Sequence, residues 1–352
     1  MKVLTIVGAR PQFIKAAVVS RALAEHGGVA EVLVHTGQHF DAGMSDVFFA
    51  ELGMARPVHA LGIHGGGHGE MTGRMMIALE PIVTRERPDV VLVYGDTNST
   101  LAGALVAAKL HVPVAHVEAG LRSFNRRMPE ETNRVLVDRL STLLLCPTRS
   151  AVENLNREGL REGVHAVGDV MYDAALFARA GGLARSAITE DLGLTPGHFD
   201  LATLHRAENT DSAARLAELA AWLRARAAQR PIVMPLHPRT RLALAQHQID
   251  LADVRVIEPV GYFDMARLLT DCVEVHTDSG GLQKEAYFHG KLCTTLRDET
   301  EWVETIEAGW NRLWRSERLP QRHAISDYGH GDAGRRIAVL LAGMPVREHP
   351  SS

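Results

Sequence analysis

Short, β-rich apolar runs alternate with longer helical stretches along almost the whole chain, which is the pattern of parallel α/β sheets. In the first half the runs Val3–Val7, Glu31–Thr36, Val90–Tyr94, Val114–Val117 and Leu143–Cys146 predict strands. The spacing between them predicts helices, among them Phe13–Glu25 and Ser99–Leu110. The second of these is apolar all round, so it is expected to lie buried against a sheet. A second series begins near Gly168, with strands expected at Leu201–Leu204, Ile232–Pro235, Val254–Ile257, Val273–His276 and Leu292–Thr295. Helices are expected there at Asp211–Gln229 and Ser279–Phe288. Two consecutive series of this kind predict two Rossmann-like, doubly wound domains, with a ligand cleft between the carboxyl ends of their strands. Counting strands puts the boundary at Gly168–Asp169, giving domains of residues 1–168 and 169–331. The stretch Ala180–His198, with Gly181–Gly182 and Thr195-Pro196-Gly197, is the least structured.

Composition narrows the function classes. The chain has 352 residues, and at roughly 100–200 residues per domain that length also favours two domains. With 46% hydrophobic and 23% charged residues, wholesale disorder is excluded. A net charge of -4 and the absence of interleaved basic and aromatic residues argue against a nucleic-acid partner. They leave an anionic small ligand open, because local geometry can oppose net charge. The 18 His are the unusual count, since imidazole titrates near neutral pH. Cys146, Cys272 and Cys293 form no CxxC pair and read as buried thiols. The opening MKVLTIVG is too quickly followed by Arg10 and Lys15 for a signal peptide. No apolar run reaches the roughly 18 residues that span a bilayer. A soluble, cytoplasmic protein with no membrane partner is expected.

Polar residues cluster just after the expected strands, where open α/β sheets place their ligands. GARPQFIK follows the first strand, with Gly8 allowing a turn and Arg10 and Lys15 at a helix start. The two cations and the helix N-terminus suit a phosphate, but solvated helix-end charges would look the same. In YGDTNST, Asp96 reads either as a helix cap or as a catalytic acid. HVEAGLRS places Glu118 and Arg122 at one sheet edge, where a carboxylate must be paired or wet. In MPEETNR, Glu130, Glu131 and Arg134 open a helix, an ordinary complement to its dipole. Together Asp96, Glu118 and Glu130 would crowd three carboxylates at one edge, an arrangement that raises pKa values and keeps an acid beside a base.

In the second half, ATLHRAEN sets His205, Arg206, Glu208 and Asn209 at a strand end, and PLHPRTR reads as a loop or helix start with cations. TDSGGLQKEA is the clearest ligand signal: Ser279, Gly280 and Gly281 open a helix with bare backbone N–H groups facing outward. Glu285, further along that helix, could accept two ribose hydroxyls. A glycine-rich cap without a ligand is the alternative. LRDETEW, from Arg297 to Glu301, is another polar loop after a strand. No HExxH, CxxC or EF-hand spacing occurs, so no protein-bound metal is indicated.

These motifs, in the order GARP…K, HTGQH, YGDT, HVEAGLR, PEETNR, HRAEN, PLHPRT, TDSGGLQKEA and RDETE, resemble the non-hydrolysing UDP-N-acetylglucosamine 2-epimerase family of GT-B-like architecture. The resemblance runs from the first residues through at least Asn311. It implies an isomerase in which Asp96, Glu118, Glu130 and His205 are the acid/base residues. Arg10, Lys15, Arg134 and Arg206 would fall among the groups holding diphosphate and sugar, and Ser279, Gly280, Gly281 and Glu285 would bind the UDP phosphates and ribose. The implied reaction removes the C2 proton as UDP leaves C1, then returns UDP and a proton through a 2-acetamidoglucal, with no metal or nicotinamide cofactor. The resemblance also implies a homodimer, and a C-terminal helix within residues 332–346 that packs back on the first domain.

Three departures bear on substrate. Where the familiar bacterial enzymes carry RPE, QHRxML and TERPE, this chain has Arg10-Pro11-Gln12-Phe13, Gln38-His39-Phe40-Asp41 and Thr300-Glu301-Trp302-Val303-Glu304. The variants, with SFNRRMPEE at 123–131, resemble the branch that epimerises UDP-2,3-diacetamido-2,3-dideoxy-glucuronate, a surface-polysaccharide precursor. A uronate needs a cation for its carboxylate, for which Arg126 and Arg127 are candidates. UDP-GlcNAc is the alternative substrate, followed by a GT-B glycosyltransferase or a non-catalytic UDP-sugar-binding protein. Arg318, Arg322 and His323 read as solvated surface.

Overall fold

A computed structural model of the chain describes residues 1–38, 52–316 and 320–347. His39, Phe40 and Asp41 of the second motif, and Arg318, lie outside them. The chain divides into two units, one of residues Met1–Ala174 with Ser326–Ser352, the other Ala175–Ile325.

The first unit carries a seven-stranded sheet in the order β3-β2-β1-β4-β5-β6-β7. Its strands are β1 (Lys2–Val7), β2 (Ala30–His35), β3 (His59–Ala60), β4 (Val90–Tyr94), β5 (Val114–Val117), β6 (Leu143–Cys146) and β7 (Val164–Ala166). All neighbours are parallel. β4, β5 and β6 are buried along their whole length, which is why they read as continuous apolar runs. The helix Asn98–Lys109 is buried on most of its surface, as its all-round apolar sequence predicts. β3 and β7, the edges, are short, part-exposed and polar enough to escape the sequence pattern.

The helix Ala333–Ala342 packs against Arg10–His26 in the same unit. Asp173 fastens it by accepting the Gly334 and Ala333 N–H groups at 2.8 and 3.2 Å. Burial outweighs those two bonds and pushes the Asp173 carboxyl up to about 6.

The second unit carries a six-stranded parallel sheet in the order β10-β9-β8-β11-β12-β13. Its strands are β8 (Asp200–Thr203), β9 (Ile232–Pro235), β10 (Val254–Ile257), β11 (Glu274–Thr277), β12 (Leu292–Thr295) and β13 (Asn311–Leu313). Between the units' sheets in sequence, short helical turns at Ala178–Gly182, Leu183–Arg185 and Ile188–Asp191 occupy part of the stretch expected to be least regular.

In each sheet the strand order reverses direction at one place, between β1 and β4 and between β8 and β11. At such a point the two connections leave toward opposite faces and the strand ends open a crevice for a ligand.

Candidate active site

At the first unit's reversal point the sequence builds two corners and ties them together. Gln12, buried in the first turn of Arg10–His26, accepts the Gly8 and Ala9 N–H groups at 2.7 and 3.0 Å. Its amide nitrogen donates to the Tyr94 carbonyl at 2.8 Å and to Thr97 and Thr100 hydroxyls at 3.0 Å. The corner after β1 is thus stitched to the corner after β4, and Lys15, on the same helix, forms an ion pair with Glu118 at the end of β5. Both side chains are nearly buried, and pairing is what offsets their desolvation. Gly95 completes this corner with φ 61°; a Cβ there would stand 3.2 Å from the Glu118 carboxylate.

Asp96 is not the helix cap. Thr97 is, accepting the Thr100 N–H at 3.3 Å, and Asp96 is left to pair with Arg134 of the helix Pro129–Leu140. Arg134 also meets Glu131 at 3.0 Å, and Asn133 donates to the Asp96 carbonyl at 2.9 Å. Glu131 does more than complement a helix dipole. It accepts the Ser123 N–H and hydroxyl and the Phe124 N–H, all at 2.9 Å. Burial opposes its charge, but those bonds and Arg134 hold its carboxyl below the ordinary range.

Of the three carboxylates expected at this edge, Asp96 and Glu118 each face a cation. Arg122 does not pair with Glu118 either; it turns to Asp138 and Glu158. Glu130 sits half-buried in the first turn of its helix and enters none of these ion pairs, and Arg10 is half-buried at the start of its own.

The second unit's reversal point is organised differently. Asp278, fully buried after β11, accepts the backbone N–H groups of His205 (3.0 Å) and Arg206 (2.8 Å) and the Asn209 amide (3.1 Å). This fixes the corner after β8 and brings His205 Nδ1 to 3.3 Å from Asp278. Burial, with Arg206 and Arg239, holds the imidazole below its ordinary value against the pull of Asp278. A neutral imidazole near neutral pH can take a proton. Ser279 caps the helix Gly280–Phe288, accepting the Leu282 N–H at 3.4 Å. Gly280 is buried and a Cβ on it would collide with the Glu301 carboxylate. Glu301 is bound to Arg297 at 2.7 Å, and Arg206 approaches it to 4.0 Å. Gly281 is exposed and Glu285 half-buried along the same helix. His237 caps the helix Pro238–His247, its Nδ1 accepting the Arg239 N–H at 3.2 Å, as a helix start with cations predicts.

Among the described residues no three His, Cys, Asp or Glu side chains group so as to hold a metal ion. The three cysteines are buried, and burial pushes the Cys146 and Cys272 thiols up to about 12. Arg322 and His323 are exposed. Sequence reasoning missed Gln12, Asn133, His116, Asp138 and Asp278 as site builders. Asp278 carried a signal, a carboxylate directly after an expected strand and before the glycine pair.

Comparisons with known proteins bear on what these corners do. The sequence signature of a family described as UDP-N-acetylglucosamine 2-epimerase matches residues 21–342. The chain is 53% identical to the UDP-2,3-diacetamido-2,3-dideoxy-D-glucuronate 2-epimerase of Pseudomonas aeruginosa, over 97% of this chain and 99% of that one. It is 40% identical to the UDP-N-acetylglucosamine 2-epimerase of Methanocaldococcus jannaschii over the same shares. The crystal structure of a Methanocaldococcus jannaschii UDP-GlcNAc 2-epimerase, in complex with UDP-GlcNAc and UDP, superposes with a TM-score of 0.88 at 38% identity, over 97% of this chain and 99% of that one. A Neisseria meningitidis UDP-GlcNAc 2-epimerase bound to UDP-GlcNAc gives 0.87 at 29% identity, over 97% and 100%. The fold class is that of these structures: α/β, GT-B-like, with two Rossmann-like sheets.

Proposed function

The chain belongs to the UDP-N-acetylglucosamine 2-epimerase family of isomerases, and on that premise we propose that its substrate is UDP-2,3-diacetamido-2,3-dideoxy-glucuronate, converted to the manno epimer. The observation that carries the choice of sugar is the higher identity to the Pseudomonas aeruginosa enzyme named for that compound. The departures in sequence agree with it. Gln12 stands where the familiar enzymes have Glu, and it both accepts and donates, which an ionised carboxylate does not do.

The chemistry divides between the two reversal points. In the first unit, Asp96, Glu118 and Glu130 supply the acid/base groups for C2. One takes the C2 proton while the C1–O bond breaks; the electron pair forms the C1=C2 double bond and UDP leaves with the bonding electrons. UDP then adds back to C1 of the 2-acetamidoglucal as a proton arrives on the opposite face of C2, so the step balances without a cofactor. Arg10, Lys15 and Arg134 offset the charge that builds on the departing diphosphate. In the second unit, Ser279, Gly280 and Gly281 present backbone N–H groups to the phosphates, Arg206 adds a cation, and Glu285 accepts the ribose hydroxyls. His205 completes the acid/base set. Arg126 and Arg127, both exposed, are the candidate partners of the uronate carboxylate.

No helix among the described residues is long and apolar enough to cross a membrane. A cytoplasmic homodimer that feeds surface-polysaccharide synthesis is part of the proposal. Proton NMR of each UDP-sugar with the protein in deuterated water tests it. Conversion of the diacetamido-uronate with deuterium at C2 is expected. Efficient turnover of UDP-GlcNAc instead would transfer the assignment to that sugar, and transfer to an acceptor without exchange at C2 would remove epimerisation altogether.

A further inference from the structure

The first unit's carboxylates stand on three separate segments: the corner after β4, the corner after β5, and the first turns of Pro129–Leu140. One buried pair touches all three. Asp138, near the end of that helix and fully buried, accepts the Gly120 N–H at 3.1 Å, two residues past Glu118. It also meets His116 Nδ1 at 2.7 Å. His116, fully buried on β5 opposite Val93, reaches the Gly95 carbonyl through Nε2 at 2.7 Å.

The partners decide where the hydrogens are. A carbonyl oxygen only accepts, so Nε2 carries one. The second Asp138 oxygen receives Arg122 at 2.7 Å besides Gly120. Burial works against charge on Asp138, yet His116 and Arg122 hold its carboxyl below the ordinary range. With Arg122 and Gly120 both donating to its other oxygen, Asp138 faces Nδ1 as an acceptor, and both ring nitrogens donate. Arg122 in turn binds Glu158 through two hydrogen bonds of 2.6 and 2.8 Å. Two cations thus face two carboxylates, and the buried cluster is balanced.

We propose that His116 is a positioning residue for the epimerisation: as an imidazolium held by Asp138, it grips the Gly95 carbonyl and sets the Asp96 and Glu118 corners against the helix that carries Glu130 and Arg134. The proposal rests on reading those carboxylates as the acid/base groups. The corners need such a grip. Gly95 and Glu118 both have left-handed backbones, with φ 61° and 74°, and a non-glycine residue there persists only where its surroundings over-determine it. Without His116 the Gly95 carbonyl would lose its buried donor.

Full-length protein labelled with 15N-histidine gives the first test. A hydrogen on each His116 ring nitrogen is expected, whereas one bare nitrogen overturns the imidazolium. In His116→Asn, which cannot reach the Gly95 carbonyl, kcat should fall about 100-fold with KM nearly unchanged, the cost of a misplacement on the order of 1 Å. His116→Gln, which places a donor near the Nε2 position, should recover at least about tenfold of that loss. Amide exchange in His116→Asn, which loses the Gly95 link, should quicken at residues 95–96 and 118–120 alone. Uniform quickening, or full kcat in folded His116→Asn, would reduce His116 to a structural residue. The nitrogen signature needs no variant, so it judges the histidine even if a substitution misfolds. It needs no turnover either; a wild-type protein inactive on both sugars would refute the functional reading separately.

Discussion

The two reversal points share a topology and differ in what holds them. In the first unit side-chain charge does the work: Lys15 meets Glu118, and Arg134 meets Asp96 and Glu131. In the second, a single buried carboxylate, Asp278, gathers backbone N–H groups, and a glycine helix start stands beside it with the Glu301 carboxylate against Gly280. Charged side chains that can exchange partners suit proton transfer and a leaving group whose charge changes. Backbone groups fixed by a buried anchor suit a nucleotide that is bound throughout. On the proposed reading, one architecture separates most of the chemistry from nucleotide binding by the kind of group placed at its strand ends, with His205 the acid/base group on the binding side.

The strongest way to break this division is in the first unit. Asp96→Asn or Glu118→Gln should lower kcat by about 10²–10⁴-fold, the usual range for general acid/base groups, while UDP affinity by calorimetry stays near wild type. Retained epimerisation in both would mean that the carboxylates only support the corners. The complementary substitution is Gly280→Ala. Its methyl displaces Glu301 from the helix start, and UDP should bind roughly tenfold more weakly, as for about 1.4 kcal/mol of lost binding energy. Undiminished UDP affinity would place the phosphates elsewhere.

The smallest effect is in pH. Because burial and neighbouring arginines lower the His205 pKa, its neutral form persists below the ordinary imidazole value. Activity that needs a neutral His205 should therefore fall only as pH drops below about 6.5, and His205→Gln should remove that acid limb of the kcat profile. An acid limb above the ordinary value would reverse the assignment of His205 as a base.

Much of the fold was legible because parallel strands buried on both faces leave unbroken apolar runs, as in VVLVY of β4 and LLLC of β6. Edge strands such as Asn311–Leu313 have fewer neighbours and no such run. The candidate site was legible where polar residues follow strands, because that is where parallel sheets open. What could not be read was partnership. His116 lies inside an apolar strand and Asp138 inside a helix, and no local spacing shows that they meet. Arg122, four residues from Glu118, points to Glu158 instead, since the turn at Gly120 sends the chain away from the sheet edge.

The helix Ala333–Ala342 has a consequence for how the protein is made. It belongs to the first unit, fastened by Asp173, yet it is translated after the whole of the second. At about 5–20 residues per second, the ribosome delivers the stretch Ala175–Ile325 before the first unit can close. Until then the apolar side of Arg10–His26, with Val18 and Val19 among its buried residues, has no covering helix. The second unit thus has all its residues before the first does, and a nascent chain stalled before residue 333 exposes the surface on which chaperones and aggregation act.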